Sequence, residues 1–120
     1  MNTDNQTAAI MHRFNEVFQR HDPTALSELV AQDCVIENTT PAPNGERRVG
    51  REACVALWTQ IATTPGTYFV SEDTVIMDDR AIIRWRFCWG EGEANSVRGV
   101  NLMRVRDGRI VEAMGYVKGT

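Results

Sequence analysis

The last third of the chain places three segments of alternating apolar and polar residues close together, and this limits the fold more than any other feature. The segments are 81–89 (AIIRWRFCW), 97–106 (VRGVNLMRVR) and 110–117 (IVEAMGYV), and the turn 106–109 (RDGR) joins the last two. Such alternation predicts β-strands with one buried face. A further strand-like run, 68–77 (YFVSEDTVIM), precedes them. The second half of the chain therefore predicts a mostly antiparallel sheet.

The first half carries helical patterns instead. Apolar residues recur at spacings of three and four near the N-terminus, which predicts an amphipathic helix. Asp22 fits the N-cap of a second, short helix and Pro23 fits its first position. The predicted elements of this half are helices over 4–21, from 23 onward and over 51–62, a strand over 34–38 and a Pro- and Gly-rich loop over 39–49. This order predicts one α+β domain over 1–120, with the helices on one side of the sheet.

Composition excludes several classes of function. The net charge is -3 and the pI is near 5.3, so the basic face of a nucleic-acid-binding protein is not expected. No apolar run approaches the ~20 residues that cross a membrane. The three cysteines and two histidines show no metal-ligand spacing, and no signal peptide precedes them. We expect a cytoplasmic protein without a metal or a cofactor.

Alternation assigns the strand residues to two faces of the sheet. The face expected to point toward the helices carries Ile83, Trp85, Phe87, Trp89, Gly99, Asn101, Met103, Val105, Val111, Ala113, Gly115 and Val117. The opposite face carries Arg84, Arg86, Leu102, Arg104, Glu112, Met114 and Tyr116. We expect this mixed apolar and charged face to form a homodimer, and the alternative is a solvated face with cross-strand ion pairs. Strand 68–77 fits either orientation.

Three segments carry a family resemblance that covers nearly the whole chain. They are 21–38 (HDPTALSELVAQDCVIEN), 49–58 (VGREACVALW) and 99–116 (GVNLMRVRDGRIVEAMGY). They resemble the SnoaL-like and ketosteroid-isomerase-like domains of the nuclear-transport-factor-2-like superfamily. The resemblance implies a cone-shaped fold, in which a curved, mostly antiparallel sheet and about three N-terminal helices enclose one pocket.

The residues at the catalytic positions differ from those of the resembling isomerases. Those enzymes place a carboxylate base at the end of the first strand, where this chain has Asn38. Their two hydroxyl-type donors fall on Phe14 and Asn101. An amide cannot abstract a proton from carbon, and Phe cannot donate a hydrogen bond. The resemblance therefore implies a related pocket without the steroid isomerisation of those enzymes.

The candidate site residues follow from the strand faces and the resemblance. Asn38 and Asn101 are the expected polar groups, although they could instead bond each other, the backbone or water. A one-residue shift of the first strand would bring Glu37 inward as a base, and Glu72 could turn inward in the same way. The expected ligand-binding residues are Phe14, Phe18, Ile36, Trp58, Ile83, Trp85, Phe87, Met103, Ala113 and Gly115.

Two functional hypotheses remain open at this point. In the first, the pocket binds a small hydrophobic metabolite (cyclic, polyketide-, steroid- or terpene-like), gated by the 39–49 loop. Any catalysis would be isomerase-, cyclase- or hydrolase-like and cofactor-free. In the second, Trp58, Trp85 and Phe87 fill the pocket, and the protein is a non-enzymatic dimerisation module. The volume of the cavity should distinguish the two.

Overall fold

The computed structural model describes residues 3–119, in which three α-helices pack against a six-stranded sheet. The elements are α1 (Thr3–Gln19), α2 (Leu26–Leu29), β1 (Val30–Glu37), β2 (Arg47–Val49), α3 (Arg51–Thr63), β3 (Tyr68–Met77), β4 (Arg80–Cys88), β5 (Ser96–Arg106) and β6 (Arg109–Val117). Short 3₁₀ turns cover Pro23–Ala25 and Glu93–Asn95.

The strands lie in the order β2-β1-β6-β5-β4-β3. All neighbouring strands are antiparallel except β1 and β6, which run parallel. Helix α1 packs on β3 and β4, and α3 packs on β1. The predicted α+β class is confirmed, and the helices cover the inner face of the sheet.

Local signals place the predicted helix starts and turns correctly. Asp22 caps the short helix, because its Oδ1 accepts a hydrogen bond from the Thr24 amide at 3.0 Å. The β5–β6 turn has positive φ at Asp107 and Gly108, as a two-residue hairpin of the primed type requires. In α1 the polar residue Thr7 is fully buried, and its hydroxyl donates to the Asp78 carbonyl at 2.6 Å.

The region from the second helix to the third differs from the prediction. Only one turn of α2 forms, so β1 begins at Val30 and not at residue 34. The predicted loop over 39–49 ends in a strand, because Arg47–Val49 pairs with β1. The remainder is tied together by backbone hydrogen bonds from Gly45 to the Pro41 carbonyl and from Glu46 to the Thr40 carbonyl. This connection is a compact turn against the sheet.

Two register shifts change which strand residues face the helices. In β3 the shift falls between Ser71 and Asp73, so Glu72 is the extra residue and the alternation changes sides there. In β6, Ile110 is fully buried and Val111 is not, which corrects the predicted facing of Val111. Trp89 was also predicted to point inward, but it lies beyond the end of β4 and is 48% exposed.

Candidate functional site

A cavity of about 220 Å3 lies between α1, α3 and the inner face of the sheet. Its lining residues are Phe14, Asn15, Phe18, Gln19, Asn38, Thr39, Trp58, Ile61, Phe69, Ser71, Ile83, Trp85, Phe87, Val97, Asn101 and Val117. Every element that reaches the cavity contributes apolar side chains, and the amides and hydroxyls come from α1, β3, β5 and the chain after β1.

Aromatic rings form most of the wall. Six of them make a continuous series of edge and tilted contacts with centroid distances of 4.8 to 5.5 Å: Trp58, Phe14, Phe18, Phe69, Trp85 and Phe87. Rings in such contacts stabilise one another by about 0.5–1.5 kcal/mol per pair beyond their burial. The wall is therefore a continuous apolar surface whose rings hold one another in place.

Two amide side chains form the polar part of the wall. Asn101 Oδ1 accepts a hydrogen bond from Trp85 Nε1 at 3.2 Å. Asn38 Oδ1 accepts one from the Thr39 backbone amide at 2.9 Å. Indole and backbone N–H groups can only donate, so each of these contacts requires the amide oxygen at that position. The orientation of both amides is thus set by the protein itself.

Glycines bring these groups into place. A Cβ on Gly99 would lie 2.4 Å from the Trp85 ring, so the indole can rest on β5 only because this residue is glycine. Gly45 has a positive φ and packs directly on the Asn38 carbonyl. The backbone N–H of Asn38 in turn donates to the Glu46 carbonyl at 2.8 Å. Both polar side chains therefore stand on backbone that is tightly fixed.

None of the lining residues found between positions 3 and 119 carries an ionisable side chain. The structure places Glu37 on the outer face, where its carboxylate accepts from Arg47 Nη1 at 3.0 Å. Glu72 likewise pairs with Arg98 Nε at 2.9 Å. General acid–base catalysis needs a side chain that can gain or lose a proton, and the part of the pocket wall that the structure describes contributes none.

The structure gathers most of the predicted site residues and leaves some outside. Asn38, Asn101 and the predicted aromatic residues reach the cavity together with Ile83. Ile36, Met103 and Ala113 are buried in the core without reaching it. Gly115 is paired with Asn101 across β5 and β6. The lining residues that were not among the predicted site residues are Asn15, Gln19, Thr39, Ile61, Phe69, Ser71, Val97 and Val117.

One signal could have found part of the missed set. Asn15 and Gln19 are four residues apart and each follows a buried Phe, at positions 14 and 18. This spacing places both amides along the edge of the buried stripe of α1. A polar pair at that edge is expected to border the pocket, whereas the facing of Phe69 and Ser71 depended on the bulge in β3.

Titratable groups elsewhere in the described chain show no second reactive site. Burial raises the pKa of the Cys34 thiol and that of the Cys54 thiol, and Cys54 Sγ donates to the Cys34 carbonyl at 3.4 Å. Across residues 3–119 no three His, Cys, Asp or Glu side chains are grouped as a metal site would require. None of the helices there is both long and apolar enough to span a bilayer.

Comparisons with known proteins agree with this architecture. Residues 11–113 match the SnoaL-like domain model. An NTF2-like protein of unknown function from Mesorhizobium loti shares 66% identity with this chain, with a TM-score of 0.94 over 99% of this chain and 96% of that one. No curated protein matches significantly.

Two more distant solved structures are similar in fold. A candidate ketosteroid isomerase from Kribbella flavida has a TM-score of 0.82 at 18% identity, over 100% of this chain and 83% of its own. An LEH-like epoxide hydrolase of M. tuberculosis has a TM-score of 0.79 at 15% identity, over 98% of this chain and 82% of its own. At these identities the likeness shows the fold, which is the expected NTF2-like cone.

Proposed function

Because the chain belongs to the SnoaL-like domain family, we propose that it binds a small, mainly apolar metabolite in the pocket of the cone. The observation that carries this proposal is the cavity of about 220 Å3, lined by a continuous aromatic wall and by amides. An apolar pocket with a few convergent polar groups is the usual form of a small-molecule site. The open volume favours this function over a dimerisation module whose pocket is filled by its own rings.

The volume limits the size of the ligand. An apolar cavity of about 150 Å3 accepts benzene, so in proportion this cavity of 220 Å3 accepts about nine non-hydrogen atoms. That is one ring with short substituents, such as a monocyclic terpenoid or a single-ring aromatic. A steroid, with four fused rings, would have to leave most of its skeleton outside the pocket.

The chemistry of the wall limits what the protein does to the ligand. Isomerisation of ketones and hydrolysis of epoxides both require proton transfer at the reacting atoms. The lining that the structure describes offers amides, hydroxyls and indoles, and none of its side chains titrates near neutral pH. We therefore expect binding, with any rate enhancement limited to positioning and hydrogen bonding.

A thermal-melt screen tests the proposal directly. A ligand at a hundred times its Kd stabilises the fold by ~2.7 kcal/mol, which is roughly 10 °C for 120 residues. Ser71 faces the cavity and its neighbour Val70 is exposed on the opposite face, so they offer a matched pair of changes. Ser71→Phe should fill the cavity and abolish the shift, and Val70→Phe should retain it. A shift that persists in Ser71→Phe would show that the ligand binds elsewhere.

We further propose that two copies associate through the outer face of the sheet. An apolar row crosses four strands there: Val75, Ile82, Leu102 and Met114 are successive cross-strand neighbours. Leu102 is 41% exposed and nearby Tyr116 is 55% exposed. Pairs of opposite charge surround the row, so both signs of charge are available on a patch that an isologous interface would use on each copy.

Sedimentation velocity should therefore give about twice the chain mass of 13.5 kDa at micromolar concentrations. Leu102→Asp places a charge in the centre of the apolar row and should yield a monomer. Met77→Asp, at the edge of the same face and 60% exposed, is the matched control and should leave the dimer intact. A monomeric wild-type protein would favour the solvated face with cross-strand ion pairs.

A further inference from the structure

We infer that the ligand carries an anionic oxygen group, a carboxylate or a phosphate, joined to its uncharged ring by a short flexible linker. The ring occupies the cavity, and the anion lies outside it in a basic hollow on the outer face of the sheet. This hollow (the basin) has a volume of about 340 Å3, and its lining includes Glu72, Arg84, Arg98, Tyr116, Val117 and Lys118. The inference rests on the proposed function, since it starts from a ligand in the cavity.

The cavity and the basin meet at Val117. This residue lines both of them and is the last residue of β6. It is 38% exposed, and the other exposed residue in the described cavity lining is Gln19. The mouth of the cavity therefore lies beside the end of β6. The pairing of β1 with β6 ends at Met114, so the last residues of β6 form an edge around which a linker can pass into the basin.

A row of three basic side chains crosses the sheet at the basin. Arg86 and Arg98 are direct cross-strand partners, and the Lys118 backbone N–H donates to the Arg98 carbonyl at 2.8 Å. Like charges that lie directly opposite each other destabilise a sheet. The Glu72 carboxylate offsets the two arginines, at 3.9 Å from Arg86 Nε and 2.9 Å from Arg98 Nε. Lys118 forms no ion pair with another residue of 3–119, so the positive charge of this row is only partly offset.

Several N–H and O–H groups of the basin remain for an anion. Arg98 uses its Nε for Glu72, which leaves the donors on its two terminal nitrogens. The acidic oxygen nearest to Arg84 belongs to Asp73 and lies 3.9 Å from Nη1, beyond hydrogen-bond distance. The Tyr116 hydroxyl adds an O–H donor, since this side chain is exposed in the basin. Bonds from guanidinium groups to a carboxylate or phosphate are stronger than bonds between neutral groups.

The cavity and the basin select different parts of one ligand. The described cavity lining contains no Lys, Arg or His, so an anion inside it would lose its hydration without gaining a cation. In the basin the same anion stays partly hydrated and meets Arg98 and Lys118. A cationic group would be repelled there. A charge attached directly to the ring would be held inside the cavity, and this is why the ligand needs a linker.

Pairs of acids and amides with one phenyl ring test the inference. The acids are benzoate, 3-phenylpropionate and 5-phenylpentanoate, and each is compared with its primary amide, which keeps the shape and removes the charge. In calorimetric titrations benzamide should bind more tightly than benzoate, because the charge of benzoate enters the cavity. For the longest pair the order should reverse, and the acid should bind about threefold to tenfold more tightly than its amide, as two exposed ion pairs allow.

Salt and a second anion extend this comparison. The Debye length falls to about 3 Å at about 1 M ionic strength, so the advantage of the long acid should disappear there. The pair 4-phenylbutyl phosphate and 4-phenylbutan-1-ol measures the same preference for a phosphate. Tighter binding of the anion in either the longest acid pair or the phosphate pair supports the inference.

The main variant is Lys118→Gln, because this side chain forms no ion pair within residues 3–119 whose loss could disturb the fold. It should weaken binding of 5-phenylpentanoate about twofold to fivefold and leave binding of the amide unchanged. Arg13→Gln is the matched control: it also removes one positive charge, but Arg13 pairs with Glu28 and lines neither the cavity nor the basin. Lys118 is the only lysine of the chain, so its side-chain NMR signals are unique. They should shift with the acid and not with the amide.

The outcomes separate this inference from the proposed function. If no probe binds, both are overturned. If the amides bind and lose affinity in Ser71→Phe, but no anion binds more tightly than its neutral partner, the pocket function stands and the assignment of the basin is wrong. An acid that binds Ser71→Phe as well as wild type, or whose advantage survives Lys118→Gln, would overturn the assignment in the same way.

The basin lies on the face proposed for association, so a second copy could cover it. The titrations are therefore repeated with Leu102→Gln, which weakens the apolar row of that face without adding a charge. A preference for the long acid in either protein supports the inference, and its absence from both would overturn it.

Discussion

Replacing Gly99 with alanine should displace the Trp85 indole and with it the orientation of Asn101. A Cβ at Gly99 would lie 2.4 and 2.6 Å from two carbons of the Trp85 ring. It would also lie 2.5 Å from the backbone carbonyl oxygen of Tyr116, which cannot move without disturbing β6. Because the ring is the more mobile of these neighbours, we expect it to rotate off β5 and to lose its hydrogen bond to Asn101.

The size of the effect follows from these contacts. Overpacking in a tight site costs about 1–3 kcal/mol, and the lost hydrogen bond about 1 kcal/mol. The free energy of unfolding should therefore fall by about 2–4 kcal/mol. For 120 residues the entropy of unfolding is roughly 250 cal/mol/K, which converts this loss into a fall in Tm of about 8–16 °C.

Calorimetric or fluorescence melts measure this fall in Tm for four proteins: wild type, Gly99→Ala, Trp85→Phe and the double variant. Phenylalanine lacks the outer ring carbons that the new methyl group meets. The loss of unfolding free energy in the double variant should therefore be smaller than the sum of the two single losses by about 0.5 kcal/mol or more. Gly119→Ala is the control, since no atom lies within 4 Å of its Cβ position. Strict additivity, or a fall in Tm no larger than that of the control, would refute the role assigned to Gly99.

Further predictions concern protonation and chemistry. Arg106 donates to Asp33 at 2.7 Å and holds the pKa of that carboxyl below its ordinary value. The resulting stabilisation is present above about pH 4 and is lost as the pH falls through the lowered pKa. In the Arg106→Gln variant, an NMR titration should find the pKa of Asp33 back at its ordinary value. The three buried thiols, two with a pKa raised by burial, should react with Ellman's reagent only after unfolding. The triple change Phe14→Tyr, Asn38→Asp and Asn101→Asp should give measurable isomerisation of a single-ring β,γ-unsaturated ketone, and absence of any gain would count against the isomerase alignment.

The sheet could be predicted because large apolar residues alternate cleanly in its central strands. Ile83, Trp85 and Met103 face the helices as their pattern indicates. The start of β1 could not be predicted, because Leu26, Leu29 and Val30 have the spacing of a buried helical stripe. All three are fully buried, but an apolar Val30 fits a longer helix as well as it fits a strand. Pairing with β6 makes the segment from Val30 a strand, and this pairing cannot be read from a single sequence.

The facing of β3 was ambiguous for a physical reason. The bulge at Glu72 reverses the alternation, so the inward residues are Phe69 and Ser71 before it and Thr74 and Ile76 after it. Read as one uninterrupted strand, this pattern mixes polar and apolar residues on both faces. The bulge also turns Glu72 toward Arg98, where its carboxylate is paired at 2.9 Å.

The polar groups of the site were predictable as residue types, but the orientation of their amides was not. The sequence places Asn38 and Asn101 at the pocket, yet an amide offers both a donor and an acceptor. Only the neighbours decide which end remains free, and these are an indole on the adjacent strand and the next backbone amide. A pocket whose wall contains no ionisable side chain among the described residues also avoids the desolvation cost that a buried carboxylate would add. The uncharged lining that the structure describes therefore suits a neutral ligand group better than an ionised one.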